Sequence, residues 1–326
     1  MSDERILTPA SGADSFHRGS PDPWWNESAW FGFQIPEREI NGFFYYWVRP
    51  NMNLVAGGVA VWDGNGSHRD DCLYYHWFPF NPLPAEADMF SFSLTNGMSV
   101  ETLAPLGEYR LTYQSEACTL DLNWRGVTPA YDVSFSAGGK RGTEDFGNFH
   151  YEQLGHVTGS LVIDGERYDV DCHQMRDRSW GVRRPFLANM RGGLEMAWIS
   201  DQLAFSTTMI TPDKTKADDE ADHFAYGLMI VDGVLSVPAS GHRRVTERAS
   251  DGAPLAVEVE LVDPDGRTIS AVGRMRNRLR YVDLWYVDWC LVEWEVNGQP
   301  GWGESQDMAS IDNVRRRQRR SGSADR

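Results

Sequence analysis

The run Val287-Asp-Trp-Cys-Leu-Val-Glu-Trp-Glu-Val-Asn-Gly298 contains the pattern on which the fold turns. Successive side chains of a strand point to opposite faces, so Asp288, Cys290, Val292, Trp294 and Val296 share one face, and Trp289, Leu291, Glu293 and Glu295 the other. That is a strand with one buried face and one partly wet one. The closing Asn297-Gly298 supplies the positive φ angles of a tight hairpin. The same device recurs at Asn41-Gly42, Asp63-Gly64, Asn96-Gly97, Asp164-Gly165, Asp232-Gly233 and Asp265-Gly266, each beside at least one strand-like run. Further strand candidates are 54–62, 72–78, 89–95, 109–114, 161–164, 194–200, 203–209, 224–231 and 255–262, whereas 79–84 and 211–222 read as loops. No amphipathic helix of ten or more residues stands out. The chain reads as all-β and antiparallel, with little helix.

At 326 residues the chain is long enough for two domains with sizeable cores. An aromatic share of 12%, with 13 tryptophans, favours β structure around an aromatic-lined interior. The sequence divides into a loose polar arm (1–22), a β domain (23–184), a second β domain (185–311) and a disordered arginine-rich tail (312–326). The boundary falls near Arg184-Pro185. The formal charge of −16 is a balance of 31 basic and 47 acidic residues, and most of the arginines that offset it near the C-terminus lie in the tail. So acidic a body repels phosphate backbones, which argues against nucleic acid as a partner. Cys72, Cys118, Cys172 and Cys290 lack CxxC spacing and read as buried free thiols. No leader and no membrane-length apolar run is evident, so the expectation is a cytoplasmic protein without a membrane span, with a homodimer left open.

Chemistry concentrates in His173-Gln-Met-Arg-Asp-Arg-Ser-Trp-Gly-Val-Arg183, which follows the alternating stretch Arg167 to Cys172. It reads as a strand, a sharp corner at Gly181 and a polar loop, with Asp177 ionised within reach of Arg176, Arg178 or Arg183. Such an Arg–Asp fork can be a structural clamp over Trp180 or part of an active site; spacing alone leaves both open. The segment Asp177-Arg-Ser-Trp-Gly181, mid-chain after a His-bearing strand, resembles the D-H-x-W-G-like motif of the lipocalin-like proteins related to carotenoid 1,2-hydratase (hydroxyneurosporene synthase) and AttH. Arg178 stands where that motif has its histidine. Gly301-Trp-Gly-Glu304 is similar to the glycine-rich last strand of the same group, and Glu152-Gln153 to the pattern ahead of the central motif. The resemblance implies two lipocalin-like barrels or sandwiches packed together. It also implies cofactor-independent hydration, cyclisation or isomerisation of hydrophobic, isoprenoid or polyketide-like substrates.

Phosphate loops, HExxH and GxSxG are absent from the sequence. His150-Tyr-Glu152, with His156 beyond, is a weak metal pattern whose alternative is a solvated strand rim, and no metal is expected. His76, within Tyr74-Tyr-His-Trp-Phe78, is either a hydrogen-bonded core histidine or the ionisable group of an apolar cavity. His223 and Tyr226 read as rim residues, and the facing of Glu195 depends on register. The candidate catalytic residues are Asp177, His173, Glu152 and Glu304; the candidate substrate contacts are Trp180, Arg176, His76, Tyr75, Trp198 and Trp302. Together they describe a lyase without an organic cofactor, working by acid/base chemistry on a hydrophobic small molecule, aromatic ones included. The competing reading is a carrier that binds such a ligand unchanged. A carrier's charged groups would all point outward.

Overall fold

A computed structural model describes residues 6, 8–17, 19–133, 149–183, 191–211, 221–282 and 286–324. The first sheet is built from β1 (Trp25–Ile35), β2 (Ile40–Arg49), β3 (Leu54–Trp62), β4 (Tyr74–Pro82), β5 (Phe92–Ser93), β6 (Met98–Ala104), β7 (Glu108–Gln114), β8 (Cys118–Gly126), β9 (Tyr131–Asp132), β10 (Phe149–Ile163) and β11 (Glu166–Val182). The second holds β12 (Arg191–Ser200), β13 (Leu203–Thr211), β14 (Asp222–Val231), β15 (Val234–Ser236), β16 (Ser240–Arg248), β17 (Pro254–Val262), β18 (Thr268–Met275), β19 (Leu279–Val282), β20 (Tyr286–Val296) and β21 (Gln299–Ala309). One helix, α1 (Ile311–Ala324), follows.

The chain is all-β, as the turn pattern predicts, but its halves are not alike. In the second sheet β13 pairs with both β12 and β14, so eight strands close into a barrel in the order β13-β12-β21-β20-β18-β17-β16-β14. The first sheet runs β4-β3-β2-β1-β11-β10-β8-β7-β6-β5, with β9 beside β10, and curls without closing. Type I′-like turns, with positive φ at both residues, make the hairpins at Asp164-Gly165, Asp232-Gly233 and Asn297-Gly298. Cys290, Val292, Trp294 and Val296 face the barrel core, with Phe205, Met229 and Val259. Phe31, Phe44, Tyr46, Leu111 and Trp124 fill the curled sheet. A third apolar layer joins the two bodies. Trp30, Phe43, Leu154 and Met175 from the curled sheet meet Leu194, Met196 and Trp289 from the barrel. Buried aromatic area of this kind contributes most of the energy of such a contact.

Several local expectations are corrected. The 173–183 stretch is no corner. β11 runs unbroken through it because β1 pairs Glu27 with Trp180 while β10 pairs Phe149 with the same residue, so the backbone is satisfied on both edges. Gly181 instead takes φ 139°, a value open to glycine, inside the strand. Asn41-Gly42 lies within β2; the turn before it is made by Pro36–Arg38 and by Glu39 at φ 51°. β4 extends through Pro79 to Pro82, which an edge strand tolerates because its outer N–H groups need no partner. In the expected arm, Ala13 and Asp14 are buried. The expected disordered tail is helical to Ala324, with Val314 packed beside Tyr286 and Ala309. The proposed boundary at Arg184-Pro185, and 212–220 of the charged loop, lie outside the described residues. Cys118, Cys172 and Cys290 are buried and Cys72 half-buried, all of them free thiols.

Candidate active site at the seam between sheet and barrel

The two faces of β11 separate the motif. Arg176, Arg178 and Trp180 turn into the curled sheet and its end, whereas Asp177, paired across the strands with Trp30, faces the seam. The Arg–Asp fork with Arg176 or Arg178 is therefore not made. Arg178 ion-pairs with Glu27, both fully buried, and Arg176 lies 3.7 Å from Asp14. Asp177 is half-buried and has no hydrogen-bond or ion-pair partner among the described residues. Its pKa is pushed up to about 6. Burial is the main cause and the neighbouring Glu152 adds to it, against His150, Arg183 and Arg176.

Glu152 on β10 is the cross-strand partner of Asp177. Directly opposed side chains have Cβ atoms about 4.5–5.5 Å apart, close enough for Glu152 to help raise the pKa of Asp177. His150 Nε2 stands 3.4 Å from Glu152 Oε1, and its ring centroid is 5.9 Å from that of Tyr226 on β14. Tyr226 stands opposite Thr208 of β13 across the strands, and burial beside Glu152 raises its pKa, so it remains a neutral phenol. Two carboxyls, an imidazole and a phenol from both bodies thus converge on the seam. Such a set can deliver a proton and accept one.

A second acid lies elsewhere in the seam. Glu304 on β21 is fully buried and takes hydrogen bonds from Gln306 Nε2 (2.8 Å), Gln174 Nε2 (3.1 Å) and Asn41 Nδ2 (3.3 Å). Gln174 reaches it because Gly32 has no side chain; a Cβ there would be 2.6 Å from Gln174 Cγ. Burial drives Glu304 up to about 8, and Glu195 pushes the same way, while the amides pull it down.

The other candidates are dispersed. His173 stacks on Trp198 at 4.2 Å and on His156 at 4.8 Å, and burial with the His156 ring lowers its pKa to about 4. His156 binds Asp171 at 2.6 Å, so His150, Glu152 and His156 do not assemble; among the described residues no metal-ligand cluster forms. Trp302 is half-buried on β21 opposite Trp198. Tyr75 is half-buried against the seam layer. His76 is half-buried in the curled sheet, 2.5 Å from the Tyr113 hydroxyl. Trp180 lies between the His17 and Phe149 rings, away from Asp177. Glu195 faces the barrel interior, where it pairs with Arg243 beside Asp222 and Asp307. Exposed His223 lies outside the cluster that its neighbour Tyr226 joins. Sequence reasoning gives Thr208, Asn41 and Gln174 no part in the site; only strand register brings them in.

Comparison with solved structures gives the same fold. Kievitone hydratase from Nectria haematococca superposes with a TM-score of 0.52 at 14% identity, over 95% of this chain and 98% of that one. An AttH-like protein from Nitrosomonas europaea gives 0.54 at 16% identity, over 87% and 91%. CghA gives 0.54 at 12% identity, over 95% and 97%. These are lipocalin-like barrel proteins, and at such identities the likeness is one of fold. No curated protein matches the sequence. No helix among the described residues is long and apolar enough to cross a membrane. The family of unknown function DUF7064 matches residues 12–310, nearly the whole chain, and the protein belongs to that family.

Proposed function

We propose that the protein is a cofactor-independent lyase of the hydratase type, acting on a hydrophobic alkene or aryl alcohol at the seam. The observation that carries this reading is the cross-strand pair Glu152–Asp177, with Asp177 raised to about 6 and flanked by His150 and Tyr226. In hydration, protonated Asp177 gives its proton to an alkene carbon. The cation that develops lies toward the face of Trp30, its cross-strand neighbour. Water adds, and the proton it sheds returns to the carboxylate pair, which restores the acid. Elimination runs the same steps backwards. The whole-chain fold likeness to a kievitone hydratase supports the reaction class. The carrier reading expects outward-pointing charges, whereas Glu152 and Glu304 are buried, which favours an enzyme.

The test is a screen of hydrophobic alkenes and aryl alcohols without added cofactor, repeated with Asp177→Asn and Glu152→Gln on any substrate found. Asp177→Asn keeps shape but cannot carry the proton. Turnover is expected to fall about a hundredfold or more with the far-UV circular dichroism unchanged. A folded Asp177→Asn protein with near-normal turnover defeats the assignment.

A further inference from the structure

At the end of the curled sheet, on the face of β11 away from the seam, the chain binds one of its own carboxylates. Asp14, at the end of a short turn (Ser11–Asp14), is buried. Its Oδ2 accepts hydrogen bonds from Leu106 N at 2.6 Å and from the Tyr109 hydroxyl, and its Oδ1 accepts one from the Tyr151 hydroxyl at 2.5 Å. Arg176 Nη1 lies 3.7 Å from Oδ1 and donates to the Tyr151 oxygen at 3.0 Å. The guanidinium carbon is 4.5 Å from the Tyr109 ring centroid, 5.0 Å from Tyr151, 5.2 Å from Trp124 and 5.5 Å from Phe90. A cation, two phenols, a backbone N–H and flat apolar walls are what recognition of a small carboxylate requires.

The internal occupant fits this site incompletely. Arg176 is 0% exposed, yet its Nη2 has no acceptor among the described residues, and Asp14 stays beyond hydrogen-bonding distance of Nη1. A buried guanidinium nitrogen left unsatisfied is unfavourable, and a carboxylate meeting the fork head-on would satisfy it. Asp14 arrives on a short chain segment whose further contacts lie just after it, where Arg178 Nη2 donates to Ser15 O at 3.4 Å and the His17 ring lies 3.3 Å from Glu27 Oε2. Phe16 N donates to Asp88 Oδ1, His17 N donates to Glu27 Oε1, and the His17 ring stacks on Trp180. We infer that the Arg176–Tyr109–Tyr151 pocket is a binding site for small carboxylates, occupied in cis by Asp14, and that an incoming acid with a flat apolar body displaces the 8–17 segment. The site is separate from the seam and does not depend on the reaction proposed there.

The test is chemical rescue of the full-length Asp14→Ala variant. Formate and acetate are expected to raise its melting temperature saturably, by several degrees. Acetamide and chloride at the same concentration leave it unchanged, and wild type moves by less than about one degree. Adding Arg176→Lys to the variant is expected to reduce the rescue at least severalfold, because lysine lacks the fork. Equal effects of acetate, acetamide and chloride overturn the inference. Should Asp14→Ala fail to fold in every buffer, amide hydrogen exchange in the wild-type protein decides. Benzoate, but not benzamide, is expected to speed exchange at Phe16 and His17 about tenfold. Exchange indifferent to benzoate overturns the inference equally.

Discussion

Glu304 illustrates how burial and hydrogen bonding compete at one side chain. Three amides donate to its carboxyl, yet its isolation from water keeps the proton on up to about pH 8. The folded pKa lies above the ordinary 4.5, so the stability tied to this group is complete below pH 4.5 and drains away as pH rises through about 8. Urea unfolding of wild type and Glu304→Gln at pH 5, 7 and 9 isolates the effect. Wild type should lose a few kcal/mol relative to the variant across that range, at roughly 1.4 kcal/mol for each pH unit that separates the folded and unfolded pKa; parallel curves contradict the assignment. The buried pair Arg178–Glu27 gives a second prediction. Glu27→Gln leaves Arg178 without its counter-charge and should cost about 3–5 kcal/mol, whereas replacing both by apolar residues should cost much less. A double-mutant cycle in urea distinguishes the outcomes.

β11 is the element that joins the seam to the curled sheet, and only part of its form shows in the sequence. The Asp164-Gly165 turn, visible in the sequence, pairs Ile163 with Glu166; counting eleven residues outward along each strand reaches Glu152 and Asp177. The central carboxylate pair is therefore legible once the strands are trusted to run that far. What hides it is the polar character of 173–183, which imitates a loop because one face of the strand carries the buried Arg176 and Arg178 and the other sets Asp177 beside the apolar seam. α1 is hidden for a related reason: its arginines outnumber the few apolar residues that anchor it. Those anchors give a prediction at this scale. Deleting 315–326 should leave the melting temperature within about a degree, while deleting 311–326 also removes Ile311 and Val314. The second truncation should lower it by about 2–4 °C, the effect of roughly 1–2 kcal/mol in a chain of this size. Equal melting temperatures for the two truncations would show that the anchors contribute nothing.

For the molecule as a whole, β class is readable because turn chemistry and period-2 alternation are local signals, whereas the two-part organisation follows from chain length and the family resemblance. That one sheet closes and the other stays open is not, since closure depends on the β13–β14 pairing, which no short motif records. The seam is likewise a product of docking. Trp30, Met175, Leu154, Met196 and Trp289 come from both bodies, and the acid groups set among them acquire their altered proton affinities only when water is excluded. The central claim is that a protonated Asp177 in this seam starts the reaction. The pH dependence of kcat/KM, measured on a substrate from the cofactor-free screen, tests it most directly. The account predicts a descending limb with a midpoint near pH 6, tenfold per pH unit, that disappears in Asp177→Asn along with most of the activity. A profile that stays flat from pH 5 to 8, or a limb that survives in Asp177→Asn, would contradict it.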